Sequence, residues 1–293
     1  MLALIAGTGD LPPALVARLP QRPLICAMAG FRPAITPDLT FRIEQLGGFL
    51  TALRDRGVTE VCMAGAVSRP PVDPSQIDAA TKPLVPRIMA AMAQGDDGAL
   101  RAIIAIFEEA GFAVRAAHQI APDLLPRAGV LSRKPVTIDS RKDAVSAEVT
   151  ITEMGRGDVG QACIVRNGRV LAREGQAGTD AMLAQITPSA DPLWGAVDGL
   201  GSVLGSAAEW LSGADGEPTD ARGAILFKAP KPNQDRRADL PVIGPQTAKG
   251  AIAAGLAGIV IEHDGVMVLD LDEVLSLLDG AGLFFWVRPK GGA

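Results

Sequence analysis

The stretch LALIAGTGDLPPALVARL, residues 2–19, decides the fold of the chain. Its first residues are an apolar run of strand length, a turn with two glycines follows, and the rest has the pattern of a helix. The same order returns further on, where PLICAMA and EVCMAGAV are apolar runs with helical segments between them. Short apolar strands that alternate with helices predict a parallel sheet covered by helices. We therefore expect a Rossmann-like α/β domain over residues 1–130.

The second half of the chain predicts another α/β domain, but one with mixed strand directions. GQACIVRNGRVLAREG, residues 160–175, has Asn-Gly between two apolar runs, which indicates a hairpin and hence an antiparallel pair. AILF and GIVIEHDGVMVLD are further strand candidates, and helical patterns separate them. We assign a linker to residues 131–143, because this stretch is polar and contains a proline, and a mixed α/β domain to residues 144–293.

Composition limits the class of protein. Of the 293 residues, 48% are hydrophobic and 21% charged, which is typical of a globular protein with a sizeable core. The net charge of −5 provides no basic surface for nucleic acid, so local cations must hold any anionic ligand. Three widely spaced cysteines and two histidines argue against structural zinc and indicate buried thiols in a reducing compartment. With no signal-peptide pattern and no apolar run of membrane-spanning length, we expect a cytoplasmic protein, and peripheral contact with the inner membrane stays open.

Candidate binding residues follow two strands of the first domain. Gly7, Gly9 and Asp10 come directly after the first strand, where glycines let backbone N–H groups approach a phosphate. A tight turn with a packing role explains the same glycines. The pattern lacks the third glycine of the dinucleotide fingerprint, which counts against a nicotinamide-dependent oxidoreductase. Arg69 follows EVCMAGAV at the strand end where ligands gather in open α/β sheets, although a solvated arginine is the simpler interpretation.

The acidic pair Asp96 and Asp97 precedes a helical segment in QGDDGALR. An N-cap role accounts for Asp97, because its carboxylate would satisfy free N–H groups at the start of the helix. Asp96 has no such local explanation. Both residues are therefore candidates for substrate contacts.

The connector KPNQDRRADLPVIGPQT, residues 231–247, carries the most specific pattern of the chain. It joins the strand-like AILF to a helix-like run, and its three prolines exclude a helix interior. Magnesium prefers carboxylate oxygens and shares its coordination with substrate phosphates, whose charge Arg and Lys match well. The connector offers both kinds of side chain, in Asp235, Asp239, Lys231, Arg236 and Arg237. A surface loop whose opposite charges pair with each other is the alternative interpretation.

Seven motifs together resemble one family, the UDP-2,3-diacylglucosamine pyrophosphatases. They run from one end of the chain to the other, and the connector is the most specific of them. The motifs are IAGTGDLP, MAGAVSRP, GDDGALR, AHQIAPDLL, VGQACIVRNG, GTDAM (178–182) and KPNQDRRADLPVIGPQT.

The resemblance implies that UDP-2,3-diacylglucosamine is hydrolysed to UMP and 2,3-diacylglucosamine 1-phosphate in lipid A biosynthesis. It also implies a divalent cation, Mg²⁺ or Mn²⁺, and a site between two domains. Asp235 would be the essential carboxylate, by metal binding or water activation, and Asp239 a second ligand or a positioning residue. The remaining residues implied at this site are the phosphate partners Lys231 and Arg236, together with Gln234, Thr179 and Asp180.

Two departures and one alternative accompany the resemblance. Residues 188–222 form an extra segment whose apolar spacing predicts a helix, which would cover the second domain or line an acyl-chain groove at the membrane. In EQLGGF, Gly48 stands where the family pattern predicts a lysine. The alternative function is a regulatory protein that binds a nucleotide-sugar without hydrolysing it. A homodimer is left open.

Overall fold

A computed structural model describes residues 1–67, 72–93, 95–157, 159–187, 220–232 and 234–292 of the chain, and only the backbone of Asp96. Arg69 and nearly all of the extra segment lie outside these residues. Their predicted roles therefore stay predictions.

The first domain is a five-stranded sheet covered by helices, as predicted. All its strands are parallel, in the order β3-β2-β1-β4-β5. The central strands β1 and β4 are apolar and buried, which is why short uncharged runs mark them in the sequence. The elements are β1 (Leu2–Ala6), α1 (Leu11–Val16), β2 (Leu24–Met28), β3 (Leu39–Phe41), α2 (Leu46–Asp55), β4 (Glu60–Ala64), α3 (Val85–Met92), α4 (Asp96–Glu109), β5 (Ala113–Arg115) and α5 (Ala117–Ile120).

The second domain is the predicted mixed α/β layer structure. Its main sheet has the order β6-β13-β11-β9-β7-β8, in which β13, β11 and β9 are parallel and the other pairs antiparallel. The elements are β6 (Gly129–Val130), α6 (Ile138–Arg156), β7 (Ala162–Arg166), β8 (Arg169–Arg173), α7 (Gly178–Ile186), β9 (Ile225–Lys228), β10 (Val242–Ile243), α8 (Pro245–Ala253), β11 (Gly258–Glu262), β12 (Met267–Val268), α9 (Leu271–Ala281) and β13 (Phe284–Arg288).

The predicted hairpin is confirmed between β7 and β8. Asn167 and Gly168 form its turn with φ angles of 52° and 74°. Positive φ at both turn residues is what a two-residue hairpin requires, and Asn-Gly tolerates it best.

The predicted linker of residues 131–143 is shorter in the structure. Helix α6 already begins at Ile138, because the hydroxyl of Thr137 accepts a hydrogen bond from the Ser140 backbone N–H at 3.1 Å and caps the helix. Before the linker, β6 pairs with β13 of the second sheet. Residues 138–143 are thus helical, and the second domain begins near Gly129.

The connector and the segment between β11 and α9 attach the second domain to the first. Strands β10 and β12 form a small parallel pair of their own. Leu240, Met267 and Leu269 from this region are buried in one cluster with Leu4 and Leu15 of the first domain. Burial of such side chains stabilises by about 1.5–3 kcal/mol each. The connector is therefore fixed against the carboxyl ends of the first sheet.

The three cysteines are buried and unpaired, as expected. Burial raises the pKa of Cys26, Cys62 and Cys163 to about 12, so these thiols stay protonated and unreactive near neutral pH. In the part of the chain that the structure describes, no helix is long and apolar enough to cross a membrane.

Candidate active site

A polar cleft of about 420 Å³ lies between the two domains. The first domain contributes the turn after β1, and the second contributes the connector, the start of α7 and the loop before β7. The polar side chains and turn residues in its wall include Gly9, Asp10, Gln161, Asp180, Arg236 and Asp239. The cleft thus brings together several residues that lie far apart in the sequence.

An apolar cavity of about 470 Å³ opens next to the polar cleft, inside the first domain. Both share Met63, the residues that follow it to Ala66, and the connector residues Ala238 and Asp239. Lys231 lines the apolar cavity but not the polar cleft, and its charge acts on Asp239, so one cation lies close to the carboxylate at the junction. Glu44 and Thr81 are the polar residues of the other walls, which are otherwise apolar and include Met28, Phe41, Ile88, Leu100, Ile103 and Phe107.

Asp235 is held by the residue two positions further on. Its Oδ1 accepts hydrogen bonds from the backbone N–H and the Nε of Arg237, each at 3.0 Å, and its Oδ2 accepts one from a terminal guanidinium nitrogen at 2.8 Å. These bonds hold the pKa of Asp235 below its usual range. Arg237 in turn contacts Glu108 of α4 at 2.6 Å. Asp235 is therefore ionised, oriented and anchored to the first domain.

Asp239 has the opposite electrostatic environment. Burial raises its pKa, although a hydrogen bond from the Gln234 side-chain amide and the charge of Lys231 act against the increase. The same amide also contacts the Gln161 side-chain oxygen at 3.2 Å, and the Gln234 oxygen accepts from the Lys231 backbone N–H. Gln234, predicted as a substrate contact, thus orients Asp239 at the junction.

Lys231 pairs with Asp97 across the domain boundary, with Nζ 3.2 Å from Oδ1. Both side chains are largely buried. Gly95, and not Asp97, is the N-cap of α4, so the predicted capping role of Asp97 is wrong. The Asp97 carboxylate pairs instead with Lys231, 134 residues further along the chain. A largely buried opposite charge is a stronger partner for a carboxylate than the free N–H groups of a helix start.

The two glycines in the turn after β1, Gly7 and Gly9, have different structural roles. The Gly7 backbone N–H donates to the Ala64 carbonyl, and a Cβ on Gly7 would lie 2.5 Å from the Ala66 oxygen. Close packing of β1 against β4 therefore explains Gly7, which was the alternative to a phosphate contact. Gly9, with φ of 90°, and the exposed Asp10 line the polar cleft, and their predicted contact with a substrate stays a prediction.

The two predicted residues at the start of α7 point to different places. Asp180 lines the polar cleft and accepts a hydrogen bond from the Thr247 hydroxyl at 3.0 Å. Thr179 is buried, with its hydroxyl donating to Glu174 and accepting from the Lys228 ammonium at 2.7 Å. Thr179 therefore lies behind the wall of the polar cleft and does not line it.

Lys228, Glu174 and Gln161 are site residues that the sequence analysis missed. The Lys228 ammonium also donates to the Val242 carbonyl at 3.1 Å and lies 3.9 Å from the Glu174 carboxylate, while Glu174 accepts from the Gln161 backbone N–H. The one available signal was a lysine that ends a buried strand and stands three residues before the connector.

Arg236 reaches the polar cleft from its other side. Its guanidinium donates to the Asp264 carbonyl at 3.2 Å and lies 3.5 Å from the Glu262 carboxylate. The side chain is 45% exposed, so much of the guanidinium can still meet an anion in the cleft. This placement agrees with a phosphate partner.

Comparison with known proteins covers nearly the whole chain. A family model described as the LpxI N-terminal domain matches residues 1–124, and one described as the LpxI C-terminal domain matches residues 127–286. The UDP-2,3-diacylglucosamine pyrophosphatase LpxI of Caulobacter vibrioides is 34% identical over 290 residues, which are 97% of this chain and 95% of that relative. The two matched regions meet where the first sheet ends and the second begins. The chain belongs to the LpxI family.

Proposed function

We propose that the protein hydrolyses the pyrophosphate of UDP-2,3-diacylglucosamine to UMP and 2,3-diacylglucosamine 1-phosphate, a step of lipid A biosynthesis. The observation that carries the proposal is the junction of the polar cleft and the apolar cavity. A molecule that joins a charged nucleotide to acyl chains through a pyrophosphate needs two such spaces side by side, with phosphate-binding and water-orienting groups between them. Lys231 and Asp239 stand at that place.

In this proposal the nucleotide part occupies the polar cleft and the acyl chains enter the apolar cavity. Lys231 and Arg236 neutralise the phosphate oxygens, since cations bind phosphate strongly where water is partly excluded. Asp10 and Asp180 face the cleft, where they can accept hydrogen bonds from sugar hydroxyls or the uracil N–H. The cavity wall formed by Phe41, Phe107 and their neighbours is mostly apolar, and the carboxylate of Glu44 in it accepts hydrogen bonds from Arg42 and from the Asp73 backbone N–H.

Asp239 lines both spaces, and Asp235 lines neither but directly precedes Arg236 of the polar cleft. We propose that these two carboxylates can meet a divalent cation shared with the substrate. Among the described side chains, no three Asp, Glu, His or Cys residues form a ready-made metal cluster. Mg²⁺ does not need one, because it is commonly held by one or two carboxylates and the substrate phosphates. Asp235 Oδ2 accepts a single hydrogen bond from the described residues, and Asp239 offers a second oxygen donor. We propose that these two carboxylates hold the ion.

The residues of the chain would then divide the chemistry between them. When bound, the ion supplies charge neutralisation for the pyrophosphate. Asp239, which lines both spaces, would accept the proton of the attacking water through the carboxylate oxygen that does not hold the ion. The water oxygen bonds to one phosphorus as the bridging P–O bond breaks, and the Lys231 ammonium stabilises the developing charge.

Chelation is expected to remove activity, and Mg²⁺ or Mn²⁺ to restore it. Loss of the ion should lower turnover by at least about a hundredfold, because it contributes several kcal/mol of charge stabilisation. Circular dichroism should show that the chelated protein stays folded. Titration with Mn²⁺, followed by electron paramagnetic resonance, should show weaker binding by an Asp239→Asn variant. Full turnover in a persistent excess of chelator would rule out the cation.

The proposed function itself is tested by chromatography of the products. The purified protein, with Mg²⁺ and UDP-2,3-diacylglucosamine in detergent, should release UMP and the lipid monophosphate in equal amounts. Substrate binding without UMP release would favour the nucleotide-sugar-binding regulator instead. The homodimer stays a prediction that the mass of the protein in solution would test.

A further inference from the structure

We infer that the open side of the apolar cavity is a docking surface for the lipid bilayer. The inference rests on the proposed function, and it names the face of the protein that takes substrate from the membrane. Val67, Val72 and Met89 line the cavity and are nevertheless 45%, 47% and 62% exposed. We call these three residues the apolar rim.

The apolar rim unites surface residues from two separate parts of the first domain. Val67 and Val72 belong to the segment between β4 and α3, and Met89 lies on α3. Isolated exposed apolar residues are common, but these three are exposed and also line one apolar cavity, so they give that cavity apolar contacts at the protein surface. Such a surface favours a ligand that is itself apolar and enters from outside.

Continuity with the polar cleft selects the occupant. The cavity behind the apolar rim ends at Lys231 and Asp239, where the phosphates of the proposed substrate lie. An acyl chain of the substrate can pass from the bilayer, past the apolar rim, into the cavity. The nucleotide part of the substrate stays in the polar cleft. A protein partner seated on the rim would close this route.

The described part of the segment between β4 and α3 that follows Val72 is held by buried polar contacts. The Glu44 carboxylate accepts the Asp73 backbone N–H at 2.8 Å, and the Thr81 hydroxyl accepts the Gly47 backbone N–H at 2.8 Å. Glu44 and Thr81 are both buried. These contacts hold the residues next to Val72 beside the cavity, so the Val72 side chain can meet a surface with little ordering cost.

Insertion of the apolar side chains into the bilayer, and not attraction between opposite charges, should supply most of the free energy of membrane binding. The chain has a net charge of −5, which repels an anionic lipid surface. Arg87 of α3, near the apolar rim, is neutralised by Glu109 at 2.6 Å. We therefore expect reversible binding that does not need anionic lipid.

The test is cosedimentation of the full-length protein with vesicles of phosphatidylcholine, with and without phosphatidylglycerol. The wild-type protein should bind both, and the double variant Val72→Asp/Met89→Asp should partition at least about tenfold less, since two inserted side chains become charged. The matched control is Val145→Asp/Val149→Asp on α6, where the two valines are 50% and 55% exposed and line neither space. The control should partition like the wild type, and circular dichroism should show both variants folded.

Four results would overturn the docking surface: no binding of wild type to either vesicle, binding only to anionic vesicles, equal partition of the rim variant and wild type, or an equal loss in the control. The wild-type release of UMP in detergent is measured in parallel. If that release is absent, the proposed function fails whatever the vesicles show. If UMP is released while the partition results fail, only the docking surface is wrong.

Discussion

Replacement of Asp235 by Asn is expected to lower kcat by at least about a thousandfold, because groups that act together in one site each account for several orders of magnitude. Asn keeps the Oδ1 acceptor that fixes the Arg237 backbone N–H, so the connector should keep its shape. What disappears is the negative charge beside the proposed cation. Steady-state kinetics with detergent-dispersed substrate measures the effect, and the thermal midpoint checks the fold.

A loss of kcat in Asp235→Asn could also arise only because Asp235 holds Arg237 in place. A substitution at the other partner of Arg237 is the control for that explanation. Glu108→Gln weakens the other partner of the Arg237 guanidinium, at 2.6 Å, without touching the polar cleft. Pairs of this exposure contribute less than about 1 kcal/mol, so kcat should change less than about fivefold. Arg237→Met removes the anchor but leaves the carboxylate. If Asp235→Asn keeps more than about a tenth of the wild-type kcat, a loss of only ~1.4 kcal/mol, the assignment is wrong.

The parts of the fold that local chemistry determines could be predicted from the sequence. Uncharged runs such as LALIA can only be buried strands when a glycine turn and a helix follow. Asn167–Gly168 determined the hairpin, since few other pairs accept positive φ twice. The start of α6 was also determined locally, by the N-cap residue Thr137, but the polar residues around it are typical of a linker.

The site could be predicted from the sequence only where the residue types themselves indicate a function. The connector was found because two carboxylates and three cations in a proline-rich stretch have few simple explanations. Asp97 was assigned to a local N-cap, and its pairing with Lys231 could not be foreseen from positions 134 residues apart. The apolar cavity had no signal either, because its walls have the same composition as a packed core. A space between side chains leaves no pattern in the sequence.

The buried charges beneath the polar cleft give the largest expected effect on stability. Lys228 and Glu174 are each 7% exposed in their side chains, and Thr179 bridges them. Removal of one member of such a group leaves the other charge buried without its counterion, which typically costs about 3–5 kcal/mol. We therefore expect Lys228→Met to lower the free energy of unfolding by about that amount, as measured by urea denaturation.

A double-mutant cycle separates the lost charge balance from lost packing. Glu174→Gln, added to Lys228→Met, removes the uncompensated carboxylate and keeps one of the two oxygens to which the Gln161 N–H and the Thr179 hydroxyl donate. The double variant should recover at least about 1 kcal/mol of the loss, because residues in one buried network couple by about 0.5–3 kcal/mol. If the two losses simply add, packing and not charge explains the effect.

The matched control is Lys249→Met, which breaks the pair with Glu273 at 3.6 Å, where both side chains are 53% exposed. Water solvates the remaining charge there, so the expected loss is below about 1 kcal/mol. The same substitution at Lys228 also removes the bond to the Val242 carbonyl, which ties the far end of the connector to β9. A Lys228→Met variant as stable as Lys249→Met would show that methionine fills the site without penalty, and the network would then not stabilise the fold.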